Sequence, residues 1–164
     1  MEYWLRGPVE GIPALLQPVA HALLQAREEI NLAVAGFPQE RLWEKPAGLA
    51  SVGFHLQHLA GVLDRLFTYA REEGLSEAQF AFLKAEGVAA EISIETLLQQ
   101  FNRQVDLALE QLAGTNPGSL AAAREVGRNR LPSTVIGLLT HAAEHTMRHT
   151  GQLLVTAKIQ QNHN

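Results

Sequence analysis

The sequence predicts an all-α protein, a four-helix bundle with a long crossover that carries a short extra helix. Apolar residues recur three and four positions apart through most of the chain, which places them on one face of a helix. No β-branched run alternates over a length typical of a strand. The chain has 164 residues, 46% of them apolar, enough for one domain with its own core. Residues 1–164 are therefore expected to form a single domain.

The first helix is predicted from about Pro13 to Ala35. A proline is tolerated in the first turn, where its missing N–H would have no partner in the helix. Pro18 is close enough to this start to delay or kink the helix. Gly36 and Pro38 are expected to end it. Its apolar stripe consists of Leu16, Val19, Leu23, Ala26, Ile30 and Ala33.

The second helix is predicted to begin after Ser51, a favourable N-cap, and to reach about Glu73. Gly74 is suitably placed to terminate it. Residues 76–87 have a weaker helical pattern, which indicates a short helix within the crossover. The apolar stripe of the second helix consists of Val52, Leu56, Leu59, Leu63 and Leu66.

The third long helix is predicted to open at Ser93 and to end at Gly114 and Pro117. Residues 114–131 have no strong period and are expected to form a loop. Ser133 is then expected to cap a fourth helix that reaches about Lys158. Its predicted core-facing seam consists of Val135, Leu138, Ala142, His145, His149, Gln152 and Thr156.

The composition excludes several classes of function. The net charge is −4, from 17 acidic and 13 basic residues, and no Lys/Arg-rich run could follow a phosphate backbone, so no nucleic-acid partner is expected. No stretch approaches the roughly 18 apolar residues of a membrane helix, and the first residues lack the pattern of a signal peptide. A cytoplasmic protein without a membrane partner is expected. Because there is no cysteine, a metal ion would be held by nitrogen and oxygen atoms.

Five of the seven histidines fall in two clusters on predicted helices, His55 with His58 and His141 with His145 and His149. Residues four apart on a helix lie on one face, about 6 Å apart along the axis, so two such imidazoles can bind one ion. Residues eight apart are separated by about 12 Å, so the three histidines of the fourth helix cannot all do so. The seam favours His145 and His149. The apolar stripe of the second helix favours His55, which is nearer its centre than His58, but helix periodicity leaves both open as the third ligand.

Other polar residues carry less information. His21 lies opposite the first apolar stripe and His163 lies in a polar tail, so both are expected on the surface. Glu144 directly precedes His145. Because sequence neighbours on a helix point about 100° apart, Glu144 does not share the helix face of His145 and is not expected to act as a general base. The second helix also carries a polar group that could either line a cleft or lie on a solvent-exposed face. It consists of Asp64, Arg65 and Tyr69.

Two segments resemble a known family. Residues 42–46 read Leu-Trp-Glu-Lys-Pro, and residues 50–60 read Ala-Ser-Val-Gly-Phe-His-Leu-Gln-His-Leu-Ala. In residues 141–152, two histidines four apart precede a Gly-Gln pair. These segments resemble the second-helix and fourth-helix signatures of the DinB/YfiT-like superfamily of metalloenzymes. The resemblance covers the four long helices in order and implies the DinB/YfiT-like bundle.

The resemblance also implies a ligand set. The histidine directly before Leu-Ala in the second helix corresponds to the family's ligand, which is His58 here, and the fourth-helix ligands correspond to His145 and His149. His55 and His141 are then expected outside the first coordination shell. A divalent metal ion is implied, with zinc first and nickel or iron as alternatives. Three imidazoles leave a coordination position open, as in catalytic sites.

The resemblance supports two reactions on a small-molecule substrate, hydrolysis and transfer that uses a low-molecular-weight thiol as cosubstrate. The alternative is a non-catalytic stress-response or binding module with a structural or adventitious metal. Relatives commonly pair through helices, and this chain has further apolar residues to cover, among them Phe67, Phe80 and Phe82. A homodimer is therefore expected, which light scattering at micromolar concentration can test.

Overall fold

The prediction of an all-α fold is confirmed by a computed structural model, which describes residues 1–162 and thus leaves His163 outside the described residues. The predicted crossover helix is also present. The helices are α1 (Gln17–Val34), α2 (Val52–Ala70), α3 (Glu77–Ala85), α4 (Ile94–Gly114) and α5 (Val135–Asn162).

The four long helices form the bundle. α5 packs against α1 and α2, and α4 packs against the same two helices from the other side. His55 lies beside His149 and His58 beside His145, so α2 and α5 run antiparallel. The largest fully buried side chains are Phe101, Leu16, Leu23, Ile30, Leu42, Leu56, Leu59, Leu63, Leu97, Leu112, Leu139 and Leu153.

Serine caps start three of the helices. Ser51 Oγ accepts the backbone N–H of Phe54 and Ser93 Oγ accepts that of Thr96, as predicted. Each cap satisfies one of the N–H groups that have no partner within the first turn of a helix. At the start of α3, Ser76 forms a reciprocal capping box with Gln79.

The predicted start of α1 is wrong by about one turn. Pro13 precedes a 3-10 turn at Ala14–Leu16, and the α-helix begins only at Gln17, with Pro18 in its second position. Because proline has no N–H to donate, Pro18 fits the first turn of a helix but not its interior. Pro18 therefore lies in the first turn of α1, and the α-helix starts about one turn later than predicted.

The predicted end of α2 is also wrong. The helix ends at Ala70, and the chain reverses at Glu72, which adopts φ 66°, so Gly74 does not terminate it. The backbone N–H of Arg71 donates to the Phe67 carbonyl, and the N–H of Glu72 donates to the Tyr69 carbonyl. These bonds satisfy carbonyl groups of the last turn before the chain reaches the glycine.

Residues 114–131 are not a plain loop. They contain strand β1 (Ala123–Val126), which pairs antiparallel with β2 (Leu131–Thr134). The connecting turn uses positive φ at Gly127 and Arg130. Four-residue, largely exposed strands have too little apolar alternation to be seen in a sequence pattern.

The fourth helix of the prediction, α5, differs in its cap and its buried face. Ser133 lies in β2, and Thr134 Oγ1 instead accepts the N–H of Gly137. Thr146 and Thr150 are fully buried, whereas Gln152, which was predicted on the seam, is exposed. The buried face is thus rotated by about one residue from the prediction.

The rotation puts His145 and His149 at the edge of the core, half-buried, where they face α2. Phe67 is buried inside the bundle and does not form part of an exposed apolar surface, while Phe80 remains 42% exposed. Among the helices of residues 1–162, none combines the length and apolar character needed to cross a membrane.

Candidate metal centre

Three imidazoles meet where α2 packs against α5. His58 Nε2 lies 2.9 Å from His145 Nε2, and the ring centroids of His145 and His149 are 4.6 Å apart. His58 and His149 are equally close, with centroids 4.5 Å apart. One nitrogen from each ring lies within 4.8 Å of the other two. We call these three residues the histidine triad.

The triad has the chemistry of a metal-binding group. Two nitrogens bound to one tetrahedral zinc ion at about 2.1 Å lie roughly 3.4 Å apart. His58 Nε2 and His145 Nε2 are 2.9 Å apart, and one nitrogen of His149 lies within 4.8 Å of a nitrogen of each of them. Burial, assisted by the neighbouring His58, lowers the pKa of His149 to about 4 and also lowers the pKa of His145. Both shifts favour the neutral ring, which is the form that binds metal. Nδ1 of His145 is buried and has no hydrogen-bond partner in the described part of the chain.

A carboxylate fixes the orientation of His58. Its Nδ1 lies 2.7 Å from Glu86 Oε2, so Nε2 is the nitrogen that faces His145. Arg65 Nη1 donates to the other oxygen of Glu86 at 2.6 Å. The side chains of Glu86 and Arg65 are only 7% and 10% exposed. A carboxylate behind a histidine selects the tautomer whose other nitrogen can bind metal.

Close packing of the crossover against α2 brings Glu86 into place. A Cβ on Gly61 would come within 2.3 Å of Glu86 Oε1, so only glycine leaves room for the carboxylate. The backbone N–H of Gly87 donates to Gln57 Oε1 at 2.9 Å. The ring of Phe54 stacks on His58 with centroids 5.2 Å apart and covers its face.

His55 lies deeper than the triad. It is 2% exposed, and its Nδ1 lies 3.1 Å from Nδ1 of His149. His55 contacts His149 but is not part of the group whose nitrogens converge. Burial, with a smaller contribution from His58, lowers the pKa of His55 to about 4.

His141 lies at the exposed edge. Its Nδ1 is 2.7 Å from Glu144 Oε1, and Arg148 donates to the other oxygen of Glu144 at 2.6 Å. With His145, the pair of His141 and Glu144 forms a second group of atoms close enough to share an ion. Both partners of His145 in that group are exposed, and exposed acidic groups are common without an ion.

The exposure predicted for the remaining polar residues agrees only in part with the structure. His21 is half-buried rather than on the open surface, and its Nε2 lies 3.0 Å from the Gly7 carbonyl oxygen, because the N-terminal segment folds over α1. Arg65 is not on a solvated face, because it is buried with Glu86. Asp64 lines a separate cleft between α2, α3 and α4.

The pKa of His55 predicts how the stability of the metal-free protein depends on pH. An unfolded histidine has a pKa of about 6.5, so between pH 6.5 and 4 the unfolded chain binds a proton that the folded chain does not. The stability from neutral His55 is complete above pH 6.5 and is lost as the pH falls towards 4. The loss should approach roughly 2 kcal/mol by pH 4.5.

Urea unfolding at pH 7 and pH 4.5 measures this effect when wild type is compared with His55→Gln, which cannot titrate. Between pH 7 and pH 4.5, the unfolding free energy of wild type should fall more than that of His55→Gln. A difference that stays constant with pH would contradict the expected protonation.

A comparison with known protein families identifies a family whose match includes the histidine triad. A family model described as the DinB superfamily matches residues 22–153, which is most of the chain. The matched range contains the triad, His55 and His141, together with Glu86. No curated protein matches the chain.

Proposed function

Because the chain belongs to the DinB superfamily, we propose that it is a metal-dependent enzyme whose divalent ion is held by His58, His145 and His149. The observation that supports this most strongly is the convergence of one nitrogen from each ring within 4.8 Å. The depressed pKa of His149 and the fixed orientation of His58 add to it, because both lower the cost of presenting neutral, aligned ligands.

The composition of the group favours catalysis over a structural role. Within residues 1–162 the triad has no carboxylate or fourth histidine among its convergent atoms. The nearest carboxylate, Glu86, is engaged by His58 and Arg65. Three protein ligands leave a position for water or substrate, as in catalytic zinc sites. Zinc is the expected ion, with nickel or iron as alternatives.

Two reactions on a small-molecule substrate fit this site, hydrolysis and transfer to a low-molecular-weight thiol. A bound divalent ion would lower the pKa of a water or thiol and polarise the substrate. The protein's own residues position the ligands: Glu86 accepts a hydrogen bond from His58 Nδ1–H, and His55 contacts Nδ1 of His149. Phe54 covers the His58 ring on one face, which limits the access of water there.

Metal analysis of untagged protein followed by an activity screen tests the proposal. We expect about one equivalent of divalent metal per chain and metal-dependent turnover of either activated esters and amides or a thiol with an electrophile. His149→Ala should lose both metal and turnover. A loaded protein that is inactive on every class and holds its ion with four protein ligands would instead indicate a structural metal.

Replacing Glu86 by glutamine tests its role in positioning His58. The amide oxygen accepts the hydrogen bond from Nδ1–H more weakly than a carboxylate does, so the affinity for Zn²⁺ should fall about 10- to 100-fold. Glu125→Gln is a matched control, because Glu125 is a carboxylate paired with Arg130 on the distant hairpin. Competition with a chromophoric chelator measures both affinities, and equal values for Glu86→Gln and wild type would contradict this role.

A further inference from the structure

A cavity of about 600 Å³ is lined by His55, the buried histidine that contacts His149 of the triad. It lies between the residues that precede α2 and the second half of α5. Leu49 and Val155 form its walls although they are 62% and 61% exposed. Ala50 and Gly151 contribute further apolar surface. A concave, mainly apolar site of this size beside a cluster of perturbed histidines has the form of a small-molecule pocket.

Besides the shape of the cavity, the glycine at position 151 indicates a ligand. Gly151 lies inside α5, where glycine costs about 1 kcal/mol relative to alanine. The glycines inside α2 have packing reasons, because a Cβ on Gly53 would come within 2.7 Å of Trp43 and one on Gly61 within 2.3 Å of Glu86. A Cβ on Gly151 would meet no atom within 4 Å beyond the neighbouring backbone of its own helix, among residues 1–162. Packing within the described residues therefore does not require glycine at this position.

His55 links the cavity to the histidine triad. The residue lines the cavity, and Nδ1 of its ring lies 3.1 Å from His149. Gln152 and Arg148 supply polar groups at the edge. Arg148 donates to Glu144, and its side chain is 56% exposed, so further guanidinium N–H groups face outward.

We propose that this cavity binds the alkyl or aryl body of a small molecule, packed against the backbone at Gly151 between Leu49 and Val155. Gln152 and Arg148 donate hydrogen bonds to acceptor groups of the same molecule. The idea that its reactive end reaches the triad rests on the proposed function, whereas binding of the apolar body depends only on the cavity.

Gly151→Leu tests the cavity directly, because the new side chain fills open space and leucine is the better helix former. The matched control is Gly114→Leu, the same change at another glycine with open space, at the exposed end of α4. The probe is 8-anilinonaphthalene-1-sulfonate, an aryl body with an anionic acceptor group, followed by fluorescence titration.

We expect wild type and Gly114→Leu to bind one equivalent of the probe with equal affinity, and Gly151→Leu to bind about 10- to 200-fold more weakly. Gly151→Ala should fall between them, and it also provides a test if the leucine variant does not fold. The affinity of each variant for Zn²⁺ should stay within about twofold of wild type, because no triad residue changes.

Equal probe binding by Gly151→Leu and wild type would overturn the proposal. So would light scattering that shows a dimer for wild type and a monomer for Gly151→Leu, since the cavity would then be a contact between two copies. If zinc binding fails but Gly151→Leu still loses the probe, the metal site is refuted and the cavity stands. If zinc binds as expected but Gly151→Leu binds the probe as well as wild type does, the cavity is refuted and the metal site stands.

Discussion

Replacing His145 by alanine is expected to lower the affinity for Zn²⁺ well beyond the 10- to 100-fold typical of outer-shell changes, to less than about one hundredth of the wild-type value. His145 is central to the triad, because its Nε2 faces His58 and its ring contacts His149. Without it, two imidazoles remain, which is one fewer than catalytic zinc sites generally use. Competition with a chromophoric chelator at pH 7.5 measures the change.

The control for this experiment is His141→Ala, one helical turn away and 50% exposed. It removes the same imidazole from the same helix, so it accounts for a general effect of losing a histidine. Its affinity should fall by less than about 100-fold, as for a residue outside the coordination shell. A loss for His141→Ala as large as that for His145→Ala would move the site to the exposed group of His141, Glu144 and His145.

Replacing Arg65 by methionine is expected to lower the unfolding free energy of the metal-free protein by about 3–5 kcal/mol. Arg65 is buried, and its guanidinium is 2.6 Å from Glu86 Oε1. Methionine keeps much of the side-chain volume but leaves the Glu86 carboxylate, itself 7% exposed, without this partner. Urea denaturation at pH 7 measures the loss.

The double variant Arg65→Met/Glu86→Gln separates the lost charge pair from lost packing. Because no unpaired charge remains buried, the double variant should be more stable than Arg65→Met alone. If Arg65→Met costs less than about 1 kcal/mol, or if the two single losses simply add, the pair is not coupled as its geometry indicates.

Much of the bundle could be predicted from the sequence because its signals are local. Ser51 and Ser93 cap helices within three residues of themselves. The 3-4 spacing of apolar residues in α2 and α4 follows directly from helix geometry. The crossover helix α3 was predicted at residues 76–87 and is found at Glu77–Ala85.

Features that depend on distant contacts could not be predicted in the same way. The β1–β2 hairpin has little apolar alternation, so its pairing is visible only in three dimensions. The buried face of α5 includes Thr146 and Thr150, which pattern reading treats as polar. The helix therefore appeared in the sequence with its seam on the histidines, which in fact flank the core.

The residues of the candidate site could be predicted from the sequence only in part, and again the local signals were the ones that could be read. The i, i+4 pair of His145 and His149 is a local signal, while the choice between His55 and His58 required the family resemblance. The structure brings His58 to the triad, and its role as a ligand stays a prediction. Glu86 was missed because it reaches His58 from the crossover, 28 residues away, and no period marks it.

The measurement that tests the central claim most directly is the anomalous difference density of zinc-loaded crystals. One peak should lie about 2.0–2.1 Å from a ring nitrogen of each of His58, His145 and His149, with Glu86 still bonded to His58 Nδ1. A peak at that distance from His55 or His141 in place of a triad member would contradict the account, and so would the absence of a peak at the triad.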